Sequence, residues 1–514
     1  MALAEASRVR PHALAGPVAG GLTKEGEAGY NRRDGEVGSP LPTADRMRAI
    51  ASNLGRALRV RRARSEAVVR GLEASKMQFA YFWGCYIPGR LPFMEKSTRA
   101  VFDRLGVNAV DLPGLTCCPE KTMVRNSSHR TWLLTAARNL SVAEEAGLDF
   151  VTPCTGCFGT LKGAAVELRS DPRLLEQVNR ELARVGRSYR GTSDVLHVLD
   201  VIHQEVASGT LRDRIAYPLT GMRIAVHYGC HLLRPSRELM FDDPFWPTKF
   251  DQLVETLGAE SVPYPSKMDC CGNLLLRVGE EEAAQAMCRG KLTDAVDHEA
   301  DALTLVCPSC MMQFDNMQFA LQRAGENLHL PVLYYPELMG LAMGLDPEEL
   351  GLDRHRVNAA PFLEKWAARR ERIDAVRQWW DHKLVRACAE CGACADDCPV
   401  ARVDSDFDPN AMVRALAAGE IDKVVESPEL WKCVECYTCA ELCPNKYDQM
   451  TILRVAKNLA MARGKAPAAV RDGMKAFRET GRLTEASVTQ RRRLGLPPVE
   501  PAPAEELREL LGDA

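Results

Sequence analysis

The sequence has no apolar run of 18 residues, so nothing in it reads as a membrane-spanning helix. The longest candidate, around Leu333–Leu345, is short and broken by Pro336 and Glu337. An excess of one charge is also missing. Lys and Arg total 66 against 69 Asp and Glu, which gives no electrostatic case for a nucleic-acid partner. The first 40 residues are rich in Ala, Gly and Pro and hold no continuous apolar stretch, so they do not read as a secretory signal. No strand-linked Gly-x-Gly-x-x-Gly or phosphate-binding loop is found, which places flavin, nicotinamide and nucleotide on a partner and not on this chain. These absences leave a cytoplasmic chain of 514 residues with room for two or three domains.

Cysteine is what the sequence has in excess. Nineteen of them in a chain with no export signal need a reason, because a reducing cytosol does not favour structural disulfides. Eighteen fall into tight groups. Cys288 stands alone and reads as a small buried hydrophobe on a helix expected over Glu280–Lys291.

The most specific pattern lies near the C-terminus. Cys388, Cys391, Cys394 and Cys398 precede Pro399, with gaps of two, two and three residues. Cys433, Cys436, Cys439 and Cys443 precede Pro444 with the same gaps. Three cysteines so spaced wrap one corner of a cubane 4Fe–4S cluster, and the fourth, before proline, reaches the other cluster of a pair. This predicts one cluster on Cys388, Cys391, Cys394 and Cys443, and a second on Cys433, Cys436, Cys439 and Cys398. Zinc is the competing reading, but it favours paired two-cysteine knuckles over complete four-cysteine runs.

The other ten cysteines form two sets of five: Cys85, Cys117, Cys118, Cys154 and Cys157, then Cys230, Cys270, Cys271, Cys307 and Cys310. From Cys117 to Cys270, and from Cys154 to Cys307, the offset is 153 residues. This is an internal duplication. Tyr81-Phe82-Trp83-Gly84-Cys85 parallels Val226-His227-Tyr228-Gly229-Cys230, and Phe150-Val151-Thr152-Pro153-Cys154 parallels Leu305-Val306-Cys307-Pro308. Each apolar run ahead of a cysteine reads as a short buried strand, and the residues after the two-residue cysteine pair as a helix. The cysteines then sit at the carboxyl ends of strands, where open α/β sheets place ligands. Adjacent cysteines such as Cys117 and Cys118 cannot both bind one metal tetrahedrally without strain, and suit a larger, irregular cluster.

With its two five-cysteine sets, Val226-His227-Tyr228-Gly229-Cys230-His231 and Gly340-Leu341-Ala342-Met343-Gly344-Leu345-Asp346, the region 77–355 resembles the B-type subunit of heterodisulfide reductase. The region 380–500 resembles the C-type subunit of the same enzyme, fused behind it. The resemblance implies duplicated α/β cysteine-rich (CCG) domains followed by a mainly α-helical, two-cluster ferredoxin-like domain. It implies that each five-cysteine set holds a noncubane 4Fe–4S cluster, beside the two cubane clusters, and that a disulfide binds between the noncubane pair. It further implies a partner like the enzyme's flavin-containing, A-type subunit, together with an electron donor module. Where relatives carry glycines after the second cysteine pair, this chain has Asn273-Leu274-Leu275-Leu276. Leucines there are expected to narrow the substrate space.

The expected domains are an N-terminal extension (1–76), two CCG domains (77–220 and 221–355), a ferredoxin-like domain (380–480) and an extended tail (481–514). His231, directly after a cysteine, suits either a proton donor to a nascent thiolate or a hydrogen bond to sulfur. His227, in the presumed strand, reads as a satisfied core residue. Lys121 suits either an anionic substrate or solvent. Residues 1–42 read as disordered. From Thr43, Met47, Ile50, Leu54 and Leu58 recur at helical spacing among eight arginines between Arg46 and Arg70. Such a basic amphipathic helix packs on its own domain, docks on a partner or lies peripherally on a membrane. Three functions fit: disulfide reduction or formation, the electron-transfer subunit of a hydroxyacid or fumarate/succinate oxidoreductase, and a non-catalytic electron relay.

Overall fold

The computed structural model describes residues 78–207, 209–443, 446–447, 449–500 and 502–511. The expected disordered stretch 1–42 and the basic helix after it lie outside the described residues.

Four short strands, β1 (Gln78–Tyr81), β2 (Asn108–Asp111), β3 (Asp149–Thr152) and β4 (Val195–His197), form a parallel sheet in the order β2-β1-β3-β4. A second sheet repeats it with β5 (Arg223–His227), β6 (Glu260–Val262), β7 (Ala302–Leu305) and β8 (Val332–Tyr334), in the order β6-β5-β7-β8. Central strands such as β1 and β7 are mostly apolar and buried almost throughout because helices cover both faces of a parallel sheet. In each half the order reverses beside the first strand, between β1 and β3 or β5 and β7. The cysteines follow the carboxyl ends of the first three strands of each sheet, which is the position of ligands at a topological switch point.

The two halves share one hydrophobic core that runs from Phe79 to Trp366. At their seam the helix Thr155–Ser170 carries Gly159 and Gly163 on one face. A Cβ on Gly159 would lie 2.9 Å from the His231 carbonyl oxygen, and one on Gly163 would lie 2.7 Å from Glu238 Oε2. The missing side chains therefore let the segment after Cys230 press against the first half. Across the same seam Thr98 Oγ1 and Tyr334 OH are 3.2 Å apart, and Lys96 Nζ donates to the Glu348 carbonyl at 2.7 Å.

The C-terminal helices build a separate core from Val376 to Ala460. They dock on the connector between the two sheets: Arg386 donates to the Ile215 carbonyl at 2.9 Å, Tyr217 OH donates to Asp374 at 2.8 Å, and Arg212 pairs with Glu390 at 3.0 Å. Beyond residue 480 the expected extended tail instead contains two short helices, Val488–Arg493 and Ala504–Leu511. The first is capped by Ser487, whose hydroxyl accepts from the Gln490 N–H. The helix bearing Cys288 runs from Glu281 to Asp297, six residues past its expected end, and Cys288 is fully buried in it.

Candidate metal centres

All five cysteines of the first set line one cavity of about 220 Å³, and all five of the second line another of about 280 Å³. Glu120, Gly156, Arg277 and Ser309 border both, so the two cavities share a wall. Cys154 caps the helix that follows it, its sulfur accepting from the Cys157 N–H at 3.4 Å. In the second half the Gly272 N–H donates to Cys270 Sγ at 3.4 Å. Cys85 and Cys117 lie 3.6 Å apart, sulfur to sulfur, at the exposed lip of their cavity, with Cys118, Cys154 and Cys157 buried beneath.

Crowding splits the thiols electrostatically. Hydrogen bonds from Cys117 and then Cys157 hold Cys118 down at about 6, whereas the Cys117 contact, followed by burial, pushes Cys85 far up. In the other nest Cys230 and Cys271 hold Cys270 well below the usual thiol range, and the same Cys270 contact drives Cys230 up. Five sulfurs this close cannot all ionise alone. A polynuclear iron centre, which takes thiolates and offsets their charge, fits this donor set. Among the described residues no group of three or more His, Cys, Asp or Glu is arranged round a single ion. The donors surround cavities instead of converging on a point, which fits clusters better than mononuclear zinc.

The C-terminal cysteines fall into two further sites. Cys388, Cys391, Cys394, Cys439 and Cys443 line a cavity of about 310 Å³. Cys398, Cys433, Cys436 and Cys439 line a small neighbouring cavity of about 30 Å³ that Cys394 also touches. Each cavity thus includes three cysteines of one run and the pre-proline cysteine of the other, together with one further cysteine, Cys439 in the first and Cys394 in the second.

Around the paired cavities the structure adds groups that spacing could not show. Arg277, from the helix Asn273–Arg277, reaches across the shared wall to donate to Tyr86 OH at 2.7 Å and stands 3.8 Å from Glu120 Oε2. The leucines before it do not seal the site: Leu274 lines the second cavity, and Leu274 and Leu276 remain 40% and 36% exposed. Lys121 is not a solvated surface lysine. Burial first lowers its pKa, and Glu238 and Cys230 act against that. His231 lines the second cavity, whereas the histidine bonded to sulfur is His227, with Nε2 3.2 Å from Cys310 Sγ. Burial holds the His227 ring down at about 3, so it is neutral at physiological pH.

Comparison with known proteins follows the same division. The cysteine-rich domain family matches residues 79–162 and 224–315, and the 4Fe-4S dicluster domain family matches 384–447. The B-type subunit of ferredoxin:CoB-CoM heterodisulfide reductase from Methanosarcina mazei is 37% identical over 290 residues, covering 56% of this chain and 96% of that protein. The 8-methylmenaquinol:fumarate reductase membrane anchor subunit of Wolinella succinogenes is 34% identical over 292 residues, 55% of this chain and 98% of that protein. The C-type iron-sulfur subunit of CoB–CoM heterodisulfide reductase from Methanopyrus kandleri is 36% identical over 103 residues, 20% of this chain and 52% of that protein. Among the described residues no helix is long and apolar enough to cross a membrane.

Proposed function

We propose, because the chain belongs to the family of B-type heterodisulfide reductase subunits, that it is the disulfide-converting subunit of an iron–sulfur complex, with its own electron relay of the C type. The observation that carries this reading is the shared wall: two complete five-cysteine nests border one another through Glu120, Gly156, Arg277 and Ser309. In this reading Cys85, Cys117, Cys118, Cys154 and Cys157 hold one noncubane cluster, and Cys230, Cys270, Cys271, Cys307 and Cys310 hold the other. The two crossed C-terminal sets hold cubane clusters. When bound, the clusters supply one-electron redox steps and iron with affinity for sulfur.

Reducing a disulfide consumes two electrons and two protons and yields two thiols, so a space open to both nests suits it. The protein's own residues bind and orient the substrate there. The Arg277 guanidinium, fixed by Tyr86 and Glu120, orients an anionic end of the disulfide at the wall. Leu274 and Val124 supply apolar lining that limits water. His231 faces the second cavity, where its ring can hold a proton for a departing thiolate. Flavin belongs to a partner of the A type in this scheme, and the domains follow the boundaries 77–220, 221–355 and 380–480.

Iron analysis tests it. Anaerobically reconstituted protein is expected to carry about 16 irons and little zinc, from four 4Fe–4S clusters. About eight irons would reduce the chain to a two-cluster ferredoxin. A second reading, the electron-transfer subunit of a fumarate/succinate oxidoreductase, is favoured by the Wolinella relative. Co-purification with a flavin dehydrogenase, and indifference of all clusters to thiols, would select it.

A further inference from the structure

The duplication supplies an internal control for the electrostatics of the two five-cysteine nests, and they differ. In the second half Lys291 lies on the helix Glu281–Asp297 and is 2% exposed. Its ammonium donates to the Ser266 and Lys267 carbonyls, the latter at 3.1 Å, and sits 5.3 Å from the Tyr264 ring centre. These backbone oxygens belong to the short 3-10 helix Pro265–Met268 that leads into Cys270 and Cys271. No carboxylate lies within ion-pair distance of Lys291 among the described residues: Asp294 accepts from the Ser266 N–H at 2.7 Å and pairs with His298, and Asp269 is exposed. A buried cation without a carboxylate is expensive unless other negative charge lies close. Beyond the aspartates Asp269 and Asp294, the negative charge it feels comes from Cys310 and Cys271.

The 153-residue offset maps Lys291 to Arg138 and Lys267 to Gly114. Arg138 also donates to the Gly114 carbonyl, yet it is only half-buried. The cysteine loop of the first half is held in addition by neutral Asn139, which accepts from the Thr116 N–H at 3.0 Å and donates to the Cys117 carbonyl at 3.1 Å. The residue matching Asn139 is Leu292. Both halves thus keep a cation at the repeat position of Arg138 and Lys291 but only the second buries it, while Asp269, matched by neutral Thr116, lies exposed on the same loop. A second difference has the same sign as the buried cation. His227, hydrogen-bonded to Cys310 Sγ, corresponds to Phe82, which has no polar side-chain atom. Arg277 and Glu120 border both nests and do not distinguish them.

Reduction adds negative charge to a cluster, and nearby cations and hydrogen bonds to its sulfurs stabilise that charge. We propose that Lys291 and His227 make the Cys230–Cys310 site the more readily reduced of the pair, so that a single electron entering the two nests resides in the second half. This rests on the reading that each nest holds a cluster. Burial draws the Lys291 ammonium down to about 8, which still leaves it charged at neutral pH.

The test is a redox titration of the full-length, reconstituted protein followed by electron paramagnetic resonance, with iron content measured first. Two noncubane signals with different midpoints are expected in the unsubstituted protein. Lys291→Met should weaken reduction of the higher-potential signal about tenfold, about 59 mV for one electron, and leave the other in place. His227→Phe should lower the same signal, Lys291→Arg should preserve it, and Arg138→Gln should move neither. If Lys291→Met fails to load iron, His227→Phe decides alone. The inference is overturned if the substitutions move neither signal, both equally, or only the lower one. Absence of a second noncubane signal in the unsubstituted protein would instead overturn the cluster reading, and the inference with it.

Discussion

At Gly84 the backbone turns with φ +69° directly before Cys85, and a Cβ there would stand 2.6 Å from Cys157 Sγ. Gly84→Ala is therefore expected to displace a cluster ligand and cost the first nest its share, about four of about 16 irons. Its counterpart Gly229 also has positive φ, but its Cβ would meet nothing nearer than Thr155 Oγ1 at 3.6 Å. Gly229→Ala should cost about 1–3 kcal/mol of backbone strain and keep its iron. Equal iron loss in the two variants would contradict the assignment of Cys157 as a ligand. Arg277 makes a second prediction at this scale. A charged hydrogen bond contributes about 1.5–3 kcal/mol, so Arg277→Gln should raise KM for an anionic disulfide at least tenfold and barely alter that for a neutral one. Equal effects on both substrates would mean that Arg277 only holds the wall together.

Among the elements, the helix His129–Glu145 shows how a buried charge fixes a loop behind the site. Glu144 accepts from the Arg190 N–H at 2.7 Å and from the N–H and hydroxyl of Thr192 at 2.6 and 2.7 Å. Burial pushes its carboxyl up, but these donors outweigh that and hold it below its usual 4.5. A depressed acid stabilises the fold above its unfolded pKa and loses that contribution as pH falls through the folded value. Glu144→Gln should therefore cost about 2 kcal/mol at pH 7, and the deficit should shrink towards pH 4 in chemical unfolding. A constant deficit would mean the loop is held by packing alone. The strands and cysteine loops of these elements were legible because apolar runs end directly in cysteines. The 4Fe–4S dicluster region was legible because the two C-terminal cysteine runs have identical spacing. Arg277 was not, because it meets Tyr86 from 191 positions away and only the folded seam brings them together. Lys291 was half-legible: the repeat aligns it with Arg138, but burial and partners decide what the charge does. The tail helices were hidden by prolines and arginines that suggest extended chain.

As a whole molecule, the chain sets its helical C-terminal domain against the connector that joins two α/β halves, through Arg386, Tyr217 and the Arg212–Glu390 pair. Cys388 and Cys391 sit at this contact, on the helix that carries Arg386 and Glu390, while Cys436 is exposed with Val434 and Tyr437 at its side. Cys436→Ser should disturb one cubane site and leave both five-cysteine nests loaded. Turnover with the natural donor should then fall far more than turnover with a small reductant that reaches the disulfide directly. Equal losses would count against a relay. The central claim, that a sulfur substrate meets both nests at their shared wall, is tested most directly by adding a panel of thiols to the oxidised protein and recording electron paramagnetic resonance. The account predicts that at least one thiol changes a noncubane signal and leaves the cubane signals alone. If every cluster signal stays unchanged while electrons still pass through the protein, it is a relay and not the site of disulfide chemistry.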